Sequence, residues 1–131
     1  MNADLAAAAL ALVGTRFRLH GRDPHTGLDC VGLVAEAMRC AGRAPQVPHG
    51  YAIRTASLAP FLPFAAANGL VEVPRDADIV LVMANLVQPH LMIAVPGGFA
   101  HAHAGIGRVT FLPGASGWPI ARQWRLPHPR S

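Results

Sequence analysis

The chain has 131 residues, which fits one domain able to bury a core without disulfide or metal staples. It is 52% apolar and only 14% charged, which excludes intrinsic disorder, and no run of about 18 apolar residues could cross a membrane as a helix. The net charge is +4, but the 11 basic residues, all Arg, are scattered and not interleaved with aromatics, so no nucleic-acid platform is expected.

In chain order, residues 5–13 are nearly all Ala and Leu and predict a first helix ended by Gly14. Asp4 precedes this run, so it lacks the basic leader of a signal peptide, and the mature chain is expected to start near Met1. Residues 14–28, rich in Gly, Arg and polar groups, predict a loop. Asp29 then looks like an N-cap, Val31, Val34, Ala35 and Met38 recur at helical spacing, and Gly42 closes that helix. Pro45, Pro48 and Gly50 mark a second loop, and residues 57–68 predict a third helix stopped by Gly69. The period then changes. Residues 70–73, 78–83, 91–95, 99–103, 108–112 and 121–126 are short strand-like runs parted by Pro, Gly or Asn. Helices followed by adjacent strands predict a single α+β domain over 1–131, with its core at about 5–126 and a mostly antiparallel sheet.

The two cysteines, Cys30 and Cys40, make no disulfide framework; on one helix they stand roughly 15 Å apart. Cys30 directly follows the expected N-cap. There the helix dipole and free N–H groups favour a thiolate and can draw a thiol down from about 8.5 into the ~3.5–7.5 range. They can also stabilise an oxyanion. Cys40 falls near the C-terminal end, where the dipole opposes ionisation. His90 begins a strand-like run, Pro96-Gly-Gly98 turns the chain, and His101 and His103 return on one face of the next strand. A hairpin brings His90 within reach of one of them, so that one imidazole serves as base and a second fixes its tautomer. Zinc is the rival use of Cys30, His90, His101 and His103, but no close Cys pair or helical His pair supports it, so neither metal nor cofactor is expected.

The segments Gly14-Thr-Arg-Phe-Arg-Leu-His-Gly21 and Gly27-Leu-Asp-Cys-Val-Gly-Leu-Val34 resemble the first signature of the NlpC/p60 cell-wall cysteine peptidases. Asp78-Ile-Val-Leu-Val82, His90-Leu-Met-Ile-Ala-Val95 and Phe99-Ala-His101-Ala102 resemble that family's later strands. The resemblance implies a papain-like α+β fold, N-terminal helices packed on the sheet, and hydrolysis of peptidoglycan stem peptides, typically at a γ-D-glutamyl–diamino acid bond. It implies Cys30 as nucleophile, His90 as general base and His101 as orienting partner. Asp29 either faces the free amine of a stem peptide or serves as N-cap alone. Three positions depart from the pattern. Phe17 replaces a Tyr that helps hold the oxyanion, with His20 as a nearby substitute donor. Val31 replaces a Ser, and Met92 replaces a Gly and is expected to crowd the groove if it faces that way. The segment between the two histidines is one residue short, which leaves His103 as the alternative third member. Length and the tail Trp118-Pro-Ile-Ala-Arg-Gln-Trp124 look most like the phage and gene-transfer-agent tail branch, which implies phage-like tail proteins as partners and delivery to the wall by such a particle. The other activities compatible with these residues are a non-catalytic tail or wall-binding module of the same fold, and an amidase or acyltransferase using the same Cys–His pair.

Overall fold

A computed structural model of the chain describes residues 2–45, 62–85 and 88–127. Helix α1 (Ala3–Ala11) begins two residues before the expected 5–13, because Asn2 is its cap: the Asn2 side chain accepts the Leu5 N–H at 3.0 Å. Its buried face is Leu5, Ala6 and Ala9, and it lies against α2 (Cys30–Cys40) and the sheet. The segment expected as a loop contains a two-residue ribbon, β1 (Arg22–Asp23) paired antiparallel with β2 (Gly27–Leu28). It escapes sequence patterning because two-residue strands carry no period. Its turn is closed by Asp23, whose side chain accepts the His25 N–H at 2.9 Å.

Helix α2 is the centre of the fold, with every residue from Cys30 to Met38 buried. Asp29 caps its start as expected, accepting the Gly32 N–H at 2.8 Å. Gly42 (φ 89°) ends it: its N–H reaches the Arg39 carbonyl and the Arg43 N–H reaches that of Met38, which satisfies the last carbonyls. Gly32 lets the preceding loop lie on the helix. A Cβ there would stand 2.0 Å from the Gly21 carbonyl oxygen. Helix α3 (Leu62–Ala67) occupies the second half of the expected third helix, with Pro63 in its first turn and Gly69 (φ 73°) as its stop; positions 57–61 lie outside the described residues.

The six expected strands are all present: β3 (Val71–Glu72), β4 (Ile79–Asn85), β5 (Gln88–Val95), β6 (Gly98–His103), β7 (Arg108–Pro113) and β8 (Ile120–Arg125). They form one antiparallel sheet in the order β3-β8-β4-β5-β6-β7. Alternation sends Ile79, Leu81, Leu91, Ile93, Ala100 and Ala102 into the main core with α1 and α2. The opposite face carries a smaller core of Val80, Val82 and Met92, covered by Phe99, Leu112 and Trp118. Met92 is wholly buried there and does not crowd a groove. Asp78, at the entry to β4, gathers the two ends of the described chain. One carboxylate oxygen accepts the Asn2 N–H at 2.6 Å and the other the Leu126 N–H at 2.8 Å.

Candidate active site

The β5–β6 hairpin positions the histidines. Pro96 and Gly97 form a two-residue turn between Val95 and Gly98; Gly97 takes φ 82°, as position three of a type II turn requires. The ladder runs from Val95–Gly98 to Ile93–Ala100 and then stops, although both strands continue. Ala94 donates towards β4, to the Asp78 carbonyl, so alternation turns the Leu91 N–H towards β6, into this opening. Cys30, at the first turn of α2, puts its sulfur there, where the N–H groups of Leu91 and Val31 approach it.

Continued in register, the hairpin would set His90 opposite His103. The contact that forms is the diagonal one. His90 Nε2 and His101 Nδ1 are 3.0 Å apart, rings nearly perpendicular. His103 stands beside His101 on the same face, ring centroids 5.4 Å apart, and its Nδ1 accepts the Ile106 N–H at 3.0 Å, capping the following turn. The pairing thus joins His90 to His101 rather than to His103. It does not join Cys30 to His90: among the described residues no hydrogen bond links the thiol to an imidazole, and the sulfur has the backbone of β5 as its neighbour.

Burial governs the charge state. Cys30 is 4% exposed, and desolvation, helped by the adjacent Asp29 carboxylate, pushes its thiol up to about 12 against the opposing pull of the Leu91 and Val31 N–H groups and of Arg22. This reverses the expected lowering: the helix start is where the sequence predicts it, but it is sunk in the core, where desolvation outweighs the dipole. Burial also takes His90 down to about 3, with His101 and His103 adding to the effect, and lowers His101, helped by His103. Burial thus favours the neutral thiol of Cys30 and the neutral imidazoles of His90 and His101.

Asp29 is fully buried. One oxygen accepts from the Gly32 N–H and from Arg22 Nη1 (3.0 Å), the other from the His20 N–H at 2.8 Å. The carboxylate is cap and clamp together, and it presents no surface to a substrate amine. The clamp holds His20 in a left-handed conformation, φ 61°, with its residue exposed. Phe17 bridges to Leu28 and packs against the helix-side core, bringing no hydroxyl. Sequence reasoning about the chemistry missed Trp118. It stands edge-to-face with both imidazoles, at centroid distances of 6.3 Å to His90 and 6.2 Å to His101. Only its place in the tail pattern drew notice, because a Trp about 30 residues from the base has no spacing signature. Among the described residues no group of three or more His, Cys, Asp or Glu is arranged to hold a metal ion. No described helix is long and apolar enough to span a membrane.

N-terminal helices, one of them central and buried, packed on a six-stranded antiparallel sheet make a papain-like α+β fold. Solved structures share it and give it the NlpC/p60 form. The NlpC/p60 domain of the peptidoglycan hydrolase SagA matches with a TM-score of 0.56 and 23% identity over 85% of this chain and 87% of that one. NlpC1 from Trichomonas vaginalis matches with a TM-score of 0.61 and 18% identity over 92% of this chain. A lipoprotein-like protein of the NLP/P60 family from Staphylococcus aureus subsp. aureus Mu50 matches with a TM-score of 0.60 and 18% identity over 95% of this chain. This chain spans 42% and 41% of those last two proteins. No protein-family model and no curated protein matches the chain.

Proposed function

We propose that this domain is a cysteine peptidase acting on peptidoglycan stem peptides, with Cys30 as nucleophile, His90 as general base and His101 as its orienting partner. The observation that carries the reading is the 3.0 Å contact between His90 Nε2 and His101 Nδ1, on the strand whose Leu91 N–H meets the Cys30 sulfur. With the shared proton on His90 Nε2, His90 Nδ1 is left as a free base and His101 carries its own proton on Nε2. From a neutral resting pair, the thiol proton passes to His90 Nδ1 as sulfur bonds to the substrate carbonyl carbon. The imidazolium then protonates the departing amine and the C–N bond breaks. Water, deprotonated by His90, opens the thioester and returns the thiol. The named peptidoglycan hydrolase among the structural relatives supports the substrate class, and the γ-D-glutamyl–diamino acid bond is the bond proposed.

The test is product analysis on muropeptides. Cys30→Ala is expected to abolish cleavage with the fold intact, Cys40→Ala to leave both unchanged, and chelators to have no effect. Full activity of Cys30→Ala overturns the mechanism. A second reading has its own support in the depth of the thiol and the missing Phe17 hydroxyl: a wall-binding module without turnover. Binding of muropeptides by wild type with no cleavage selects it. Delivery by a phage-like tail belongs to the same proposal, and its check is whether the protein co-purifies with tail particles.

A further inference from the structure

The paired imidazoles have a neighbour to which no role has been given. Trp118 sits in the connection between β7 and β8, and its backbone is held on both sides. Ser116 Oγ accepts the Trp118 N–H at 3.1 Å, and the Ser116 hydroxyl donates to the Trp118 carbonyl at 3.4 Å. The next residue, Pro119, accepts the Met83 N–H at 3.0 Å, tying the connection to β4. Just beyond, the β4–β8 register shifts between Leu81–Arg122 and Val82–Ile120, a bulge of the kind that re-aims a strand near a site. The indole packs against the small core of Val80, Val82 and Met92, and it meets both imidazoles edge-to-face at once.

The ring pair needs such a cover. Each neutral imidazole has one donor and one acceptor nitrogen, and only one nitrogen of each is committed to the other ring. Water reaching the shared hydrogen bond would compete for it and let either ring exchange its tautomer. The geometry points to Trp118 as a positioning residue: its indole shields the His90–His101 hydrogen bond from water and so fixes which nitrogen of His90 is free to act as the base. The catalytic consequence rests on the peptidase reading; the effect on the rings does not.

The experiment is nitrogen-15 imidazole NMR of the full chain as wild type, Trp118→Phe, which keeps an aromatic ring over the small core, and Trp118→Leu, which keeps an apolar side chain there without the ring. The titratable groups that act on His90 are His101 and His103 on β6, and neither is altered by these substitutions. Wild type and Trp118→Phe are expected to show one tautomer for His90, protonated at Nε2. Trp118→Leu is expected to show tautomer averaging at His90, and a midpoint for its protonation at least one pH unit higher. On muropeptides, Trp118→Leu is expected to lower kcat at least tenfold with KM little changed, and Trp118→Phe to restore most of it. Identical His90 tautomer and titration in wild type and Trp118→Leu overturn the assignment. Should wild type show no turnover, the peptidase reading fails, and the NMR comparison still decides the role of Trp118.

Discussion

The charge state of Cys30 can be read directly by thiol–disulfide exchange. Burial and Asp29 push the thiol up to about 12 from an ordinary 9.0, so at pH 8 and below its thiolate population is about a thousandfold smaller than that of an ordinary thiol. A more basic thiolate is a better nucleophile, by a Brønsted coefficient of about 0.4–0.5, which returns roughly 15–30-fold. The net expectation is a rate roughly 30–70-fold below an unperturbed thiol, before any loss from restricted access. Cys40, exposed on the last turn of the same helix, is the internal standard. The protein is treated with a small aromatic disulfide at pH 8, quenched with acid, and the two cysteine peptides are quantified by mass spectrometry, with a urea-unfolded sample as reference. Cys30 is expected to lag Cys40 by more than tenfold in the folded protein and to match it when unfolded. Equal rates in the folded protein, or a Cys30 that reacts faster near pH 7, would falsify the argument that desolvation outweighs the helix dipole.

Two further outcomes follow from burial and close approach. His90 and His101 are held below their ordinary value of 6.5 in the native state, so between that pH and about 3 the unfolded chain takes up protons that the native one refuses. Stability is therefore complete above about pH 6.5 and falls as the pH drops; His90 alone accounts for about 2–3 kcal/mol lost by pH 4.5. Urea midpoints at pH 7.5 and 4.5 measure this, and His90→Gln is expected to remove most of that share; an unchanged slope in the variant sinks the attribution. Gly32→Ala puts a methyl carbon 2.0 Å from the Gly21 oxygen, in a loop pinned through His20 to Asp29. The loss is expected to reach about 3 kcal/mol, the upper end of overpacking costs, and a thermal midpoint equal to wild type refutes the close approach.

Most of the architecture was legible because the residues that punctuate it act locally. Asp29 and Gly42 bracket α2 by chemistry that needs no partner elsewhere, and Pro96-Gly97 dictates the hairpin. The strand runs were visible as apolar stretches between turn residues. Their two-sided burial was not, so the sequence leaves open which way Met92 faces, and only the structure puts it in the second core. Asn2 was overlooked as a cap since the apolar period begins later. At the site, the residue types and their order along the chain pointed to Cys30, His90 and His101. What the sequence could not carry was depth. Nothing in Asp29-Cys30 says whether the helix start is wet or sunk, and that alone decides the direction in which the thiol shifts. Nor does a hairpin pattern reveal that its ladder opens past Ile93 and Ala100, the step that turns His90 to His101 on the diagonal.

The carboxylate of Asp78 grips Asn2 and Leu126 together, and the Asn2 side chain donates to the Leu126 carbonyl across a sequence separation of 124. The folded unit is in effect a ring whose clasp is the Asp78 carboxylate together with the Asn2 amide. Segments added at residue 2 or at residue 126 leave the domain from the same spot, so the unit can be spliced into a host loop without pulling its sheet apart. A chain rejoined there and opened at the 114–117 turn keeps every strand pairing of the sheet. By the same token, cutting the clasp with Asp78→Ala loosens the start of α1 and the end of β8 at once, leaving the Asn2–Leu126 hydrogen bond to hold them together.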